Sequence, residues 1–245
     1  MTVASLDELK KELRRPIIVA HRGYAKNLDF NKNSLNSFKE AIDLGTDAIE
    51  CDLRLTKDKQ VIVHHNPWVR NQDQIRLISQ TNYKDILKIL DDNSDVPKLS
   101  DMINLIPDNM IIFFQIKRVV DVEQILNQMV NKNYKIKNHI IMGYLRRIFE
   151  NNKLNLFNIG KHYILPNDFN LKIIDYYNKN KNINCSVASP SWKLITQRHI
   201  NQIHKRKLNS VVYSVNNEKM FSRLINYSVD AIYTDNLKKM IKKFR

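Results

Sequence analysis

Apolar and polar positions along this chain fall into two alternating patterns. In one, apolar and β-branched residues run together; in the other, apolar residues return every three or four positions among charged ones. The first pattern occurs about eight times, at "IIVAH" (17–21), "DAIECDL" (47–53), "IIFFQIK" (111–117), "HIIMGY" (139–144), "KHYIL" (161–165), "INCSVAS" (183–189), "SVVYSV" (210–215) and "DAIYTD" (230–235), and it predicts strands. The second predicts amphipathic helices. "NSLNSFKEAIDLG" sets Leu35, Phe38 and Ile42 on one face and stops at Gly45, "TQRHINQIHKRK" presents Ile200 and Ile203, and "NNEKMFSRLINYS" presents Phe221, Leu224 and Ile225. Strands alternating with helices build βα units around a parallel sheet, and about eight units in 245 residues predict an α/β fold of the (β/α)8 barrel type. No Pro-, Gly- or Ser-rich linker divides the chain, so residues 1–245 are expected to form a single domain.

"VIVHH" (61–65) has no place as a ninth barrel strand. It follows "LRLTKDKQ", whose Lys57-Asp58-Lys59 tip reads as a tight turn, so residues 53–65 are expected to form a β-hairpin that extends the second strand and doubles back. Such a hairpin returns His64 and His65 to the level of Glu50 and Asp52. In a barrel that level is the C-terminal mouth, where catalytic groups sit. Alternation puts Glu50 and Asp52 on one face of their strand and Cys51 and Leu53 on the other, toward the helices. Gln115 and Lys117 repeat the spacing on the next barrel strand. The turn decides which histidine meets the carboxylates, because a loop of two residues pairs Asp52 with His65 and a loop of three pairs it with His64.

Charge narrows the chemistry. Forty Lys+Arg stand against 25 Asp+Glu, a net +15, and this favours anionic partners such as phosphate esters. Four glycines accompany about thirty asparagines, and Asn can take left-handed turn positions that Gly usually fills. Cys51 and Cys185 lie far apart in no metal-binding spacing and are expected to be reduced thiols. The amino end, "MTVASLDELKKELRRP", carries charge where a signal peptide is apolar, and no apolar run approaches the roughly 18 residues of a membrane span. A cytoplasmic protein is expected. The basic tail "NLKKMIKKFR" fits a last barrel helix with Leu237, Met240, Ile241 and Phe244 inward, and membrane contact is not expected. Trp68, Trp192 and Tyr213 are candidates to line the mouth, with packing the safer assignment for each. Nothing in the sequence sets an oligomeric state.

"AHRGYA" places His21 and Arg22 at the same mouth. Taken together, "HRG", then Glu50-x-Asp52, then a histidine after a hairpin, then "QIK", the chain resembles the glycerophosphodiester phosphodiesterase family, a TIM barrel of the phospholipase-C-like type. The resemblance runs from about residue 17 to the end. It implies an enzyme of lipid metabolism that hydrolyses small-molecule glycerophosphodiesters to glycerol 3-phosphate and an alcohol, with metal assistance. In that likeness His21 and His64 match the acid/base pair, and Arg22 and Lys117 the groups that hold phosphate. Glu50 and Asp52 match two of three acidic ligands of a divalent cation, Mg or Ca, with Gln115 at the third position. Hard cations want carboxylate oxygens, and a phosphoryl transition state wants positive charge on its equatorial oxygens, which agrees with these roles. No specific nucleic-acid partner is expected, since no aromatic-interleaved basic motif appears.

Three positions depart from the family pattern: Gln115 replaces an acid, "NKNS" replaces "PENT" with Lys32 in place of the Glu, and His64-His65 replaces "HD". Together they move the mouth by roughly +3. A divalent ion is therefore expected to bind more weakly, and Lys32 joins Arg22 and Lys117 as a phosphate-binding candidate near the emptier metal position. Two readings follow, an active phosphodiesterase and a weakened barrel that binds phosphate esters or phospholipid headgroups. The first is the expectation.

Overall fold

A closed ring of eight parallel strands forms from the eight apolar runs in the computed structural model, which describes residues 6–25, 31–90, 95–131, 139–143, 160–164, 171–180 and 185–245. Eleven strands occur among these residues: β1 (Ile17–His21), β2 (Ala48–Leu55), β3 (Val61–Val63), β4 (Trp68–Arg70), β5 (Ile75–Leu77), β6 (Ile111–Ile116), β7 (His139–Gly143), β8 (Gly160–Ile164), β9 (Cys185–Ser189), β10 (Asn209–Val212) and β11 (Ala231–Thr234). The sheet runs β1-β11-β10-β9-β8-β7-β6-β2, and β1 pairs with both β11 and β2, which closes the barrel. Tyr144, Leu165, Ile183 and Asn184, at the ends of three predicted strands, lie outside the described residues.

The predicted helices occur at Leu35–Asp43, Gln197–Lys205 and Glu218–Asn226, each started by a side chain that satisfies an orphan N–H. Ser34 and Ser37 exchange bonds as a capping box, Thr196 accepts from the His199 N–H, and Asn217 accepts from that of Met220. Gly45 follows the first helix at φ +80°, the left-handed stop expected of it.

Alternation along the strands separates two cores. Ile17, Val19, Ala48, Ile111, Phe113, Val211, Ala231 and Tyr233 point inward and fill the barrel, and Leu6 joins them from a helix at Leu6–Leu13 that the sequence reading did not anticipate. Ile18, Ile49, Cys51, Leu53, Ile112, Phe114 and Ile232 point outward and pack with the helices. Cys51 is a buried free thiol. The tail helix Leu237–Phe244 buries Leu237 and Met240 and packs Ile241 and Phe244 against the outer core, so it is a barrel helix. Among the described residues no helix is long and apolar enough to cross a membrane.

β3 folds back on β2 as the expected hairpin, with Leu53 opposite Val63 and Leu55 opposite Val61. The turn is the longer of the two anticipated loops. The Thr56 N–H donates to the Gln60 carbonyl at 3.0 Å and closes a three-residue loop, Lys57-Asp58-Lys59, whose last residue stands at φ +63°. That loop gives the register with His64, whose N–H donates to the Asp52 carbonyl at 2.9 Å.

Candidate active site

The inward face that buries Ile17 and Val19 on β1 reaches the mouth at His21, and the same parity brings up Glu50 and Asp52 on β2, Gln115 on β6 and Asp235 just after β11. The backbone after β1 turns sharply, with Arg22 at φ +64° and Gly23 at +75°. Gly23 has no substitute there, because a Cβ would stand 2.5 Å from Ser37 Oγ on the following helix. This turn holds the Arg22 N–H on the Glu50 carbonyl at 2.9 Å and near Glu50 Oε2 at 3.2 Å.

His21 Nδ1 lies 2.7 Å from Asp235 Oδ1 and 3.2 Å from Ser214 Oγ, while Nε2 stands 3.8 Å from Glu50 Oε2. A carboxylate can only accept, so Nδ1 carries a proton and Nε2 is the nitrogen presented to Glu50. The ring stacks above Tyr233 with centroids 6.3 Å apart. Asp235 also accepts from Lys32 Nζ at 2.7 Å and Asn216 Nδ2 at 2.8 Å. Burial alone would raise its pKa, but His21, Lys32 and Asn216 hold it well below the usual carboxylate range.

Asp52 is fully buried and surrounded by donors: Lys117 Nζ at 3.2 Å, Asn33 Nδ2 at 2.9 Å and, as an ion pair without the alignment of a hydrogen bond, Arg22 Nε at 2.9 Å. Burial is the largest influence and pushes its pKa up, yet Lys117, Arg22 and Asn33 together hold it below its ordinary value. Lys117 Nζ also reaches Gln115 Oε1 at 2.9 Å, and Gln115 is the register partner of Asp52. Glu50 goes the other way: burial first, and then the neighbouring Asp52, push it up to about 7. Two acids two residues apart thus have opposite protonation tendencies.

The two histidines of the hairpin have different surroundings. His64 Nε2 lies 3.1 Å from the Trp68 carbonyl, and burial chiefly lowers its pKa. His65 Nδ1 lies 3.0 Å from Asn66 Oδ1, and its carbonyl accepts from Arg54 Nη2 at 2.6 Å. Burial lowers the His65 pKa as well, but among the further influences are Asp52, Lys117 and Arg22, so this ring sits in the field of the mouth.

His21, Arg22, Glu50, Asp52, Gln115 and Lys117 therefore meet. Lys32 reaches the mouth too, but its ammonium is on Asp235, and the cation beside Gln115 is Lys117. Trp68 is 40% exposed, not packed as expected, because it stands on a two-stranded ribbon with one face in solvent. The sequence reading missed Asp235, Asn33, Ser214 and Asn216. Asp235 had a signal: it lies two residues beyond Tyr233 in an alternating run, on the inward parity at a strand end. Asn33, at φ +65°, had only its place in "NKNS".

Glu50, Asp52 and Gln115 present oxygens of the kind a hard divalent cation takes, and the raised Glu50 would be relieved by positive charge. Their chemistry fits such an ion, with the Lys117 ammonium competing for two of the three groups. Among the described residues no cluster of three or more His, Cys, Asp or Glu side chains is arranged to hold a metal. The third oxygen donor is an amide.

Comparison with known proteins gives the family and the fold. The chain is 22% identical over 247 residues to a glycerophosphodiester phosphodiesterase of Bacillus altitudinis, covering 89% of this chain and 94% of that protein. It is 42% identical over 55 residues to one of Caldanaerobacter subterraneus subsp. tengcongensis, a match spanning 22% of each chain. Its fold superposes with a TM-score of 0.77, at 17% identity and over 94% of this chain and 96% of the other, on an Oleispira antarctica phosphodiesterase solved with the product sn-glycerol-3-phosphate. The profile of the Glycerophosphoryl diester phosphodiesterase family matches residues 21–239, from the mouth histidine into the last helix, and the chain belongs to that family.

Proposed function

We propose that this chain hydrolyses glycerophosphodiesters to glycerol 3-phosphate and an alcohol by acid/base catalysis. The observation that carries the reading is His21: its Nδ1 is held by Asp235 and its Nε2 opens toward Glu50 beside the Arg22 and Lys117 cations. Arg22 and Lys117 bind the phosphate oxygens, and Lys32 adds a third positive charge at the rim. His21 Nε2 takes a proton from the attacking hydroxyl or water, and His64 gives one to the leaving alcohol. Glu50, Asp52 and Gln115 would hold a divalent cation, which supplies positive charge to the phosphate when bound. The whole of residues 1–245 serves as one domain around this mouth.

A second assignment has one observation in its favour. His65 lies in the field of Asp52, Lys117 and Arg22, which makes it the competitor of His64 as the second histidine. Product analysis tests the main reading: incubation with glycerophosphocholine and Mg is expected to release glycerol 3-phosphate and choline. Release of phosphocholine would overturn the cleavage position. Measurable binding of glycerol 3-phosphate with no turnover would favour a barrel that binds phosphate esters without cleaving them.

A further inference from the structure

The basic tail helix turns its apolar stripe into the protein, with Leu237 and Met240 buried. The exposed apolar surface is elsewhere. The ribbon of β4 and β5 leaves the hairpin directly after His65, and its register sets Trp68 opposite Leu77 and Arg70 opposite Ile75. Cross-strand partners share a face, so Trp68, Leu77, Ile75 and Arg70 lie side by side. Val69, on the other face, is buried with Ile62, Ile78 and Ile86 and roots the ribbon. The outer side chains stay in water, with Trp68 40%, Leu77 45% and Ile75 62% exposed.

The same side of the barrel carries Val120, 73% exposed after β6, and Leu194, 49% exposed after β9. Among the described residues seven large apolar side chains are exposed, and these five all stand on segments that follow the C-terminal ends of barrel strands; Leu87 and Tyr176 lie on helices. The apolar surface is thus concentrated on the face that holds the mouth. Cations accompany it: Arg70 stands on the same face of the ribbon, opposite Ile75, and Lys193 stands beside Leu194. Apolar side chains with a tryptophan, interleaved with arginine and lysine, complement an anionic lipid surface in both charge and polarity.

We propose that this rim seats the barrel on an anionic phospholipid surface, with Trp68, Ile75 and Leu77 entering the headgroup layer. The mouth then faces phosphodiesters held in or released from that surface, a consequence that rests on the phosphodiesterase reading; the docking itself does not. Because the Trp68 carbonyl lies against His64, a ribbon held by lipid also steadies one wall of the mouth.

The test is cosedimentation of the full chain with vesicles of phosphatidylglycerol and phosphatidylcholine, beside vesicles of phosphatidylcholine alone. Binding is expected to the anionic vesicles and to weaken with salt, and an Ile75→Ser/Leu77→Ser double variant is expected to lose roughly tenfold in affinity. That variant should turn over soluble glycerophosphocholine at the wild-type rate, which shows that it is folded and separates docking from catalysis. Trp68 gives an independent readout. With Trp192→Phe removing the other tryptophan, its emission should move to shorter wavelength on anionic vesicles. No vesicle binding, or equal binding by the double variant, overturns the proposal. So does a concentration-dependent dimer that disappears in the double variant, which would assign the rim to a second copy of the chain. Binding without turnover of any diester would leave docking standing and remove the proposed activity.

Discussion

The two ends of the barrel use the same residue types for opposite ends. At the end where the strands begin, Asp230 accepts from the Lys10 ammonium, from His204 Nε2 at 2.7 Å and from the Ser210 N–H and hydroxyl, each at 2.7 Å. Asp47 takes Arg15 through both terminal nitrogens, at 2.6 and 2.9 Å, and the Ile18 N–H at 2.8 Å. These networks are closed, with fixed donors filling the carboxylates. At the mouth, buried acids, lysines, a serine and histidines meet again, but Glu50 is pushed toward its protonated form, His21 Nε2 stands 3.8 Å from Glu50 Oε2, too far for a hydrogen bond, and Arg22 Nε lies on Asp52 without alignment. A closed network stabilises a fold, whereas groups held away from their preferred state can act on a ligand.

Exchanging one residue from each end breaks the comparison most sharply. His21→Ala should lower turnover by about 10²–10⁴ and change unfolding stability little. Asp230→Ala should destabilise by roughly 1–3 kcal/mol in urea unfolding, since it leaves the buried Ser210 N–H and hydroxyl without their acceptor, while the folded fraction keeps its activity. Loss of activity without loss of stability at the lower end would erase the distinction. Next in size, Asp235→Asn should cost roughly 10²-fold in turnover by removing the acceptor that fixes the His21 tautomer, with affinity for substrate nearly unchanged. A matched loss in Lys32→Met would instead assign the effect to charge.

Glu50 and Asp230 also predict opposite pH dependences. Burial lifts Glu50 from 4.5 to about 7, so ionising it costs the folded state nothing below its unfolded value and roughly 3 kcal/mol once the pH passes about 7. Glu50→Gln should therefore be more stable than the wild type above pH 7 in EDTA, and the gain should vanish in acid. Asp230 is held below its ordinary value; its contribution is present above the unfolded pKa and is lost as the pH falls through the folded one. Urea midpoints across the pH range check both signs. The smallest effect separates the two hairpin histidines: His64→Ala should lose about 10²-fold in turnover, and His65→Ala less than about tenfold. The reverse order would give the catalytic place to His65.

The barrel was legible because its strands are short apolar runs and its helices show one-sided faces with Ser, Thr or Asn at their starts. The hairpin was legible for the same reason, but spacing left its loop open between two and three residues. Thr56 and Asp58 bond to each other, and Thr56 pairs with Gln60, which selects the three-residue form. Spacing also found Glu50, Asp52, Gln115 and Lys117, because alternation on neighbouring strands fixes a shared face. Asp235 could not be recognised as the partner of His21, since the two lie 214 positions apart and meet only where β1 closes on β11. Lys32 shows the same limit: its charge could be counted from the sequence, but its place depended on where Asp235 stood.

The most direct measurement is release of glycerol 3-phosphate from glycerophosphodiesters by the wild type and by His21→Ala, each with Mg, Ca, Mn or EDTA. The account predicts turnover in the wild type that the variant loses, raised by a divalent ion needed at higher concentration than three carboxylates would require. Equal release by the two proteins, or none from the wild type with any ion, would contradict it.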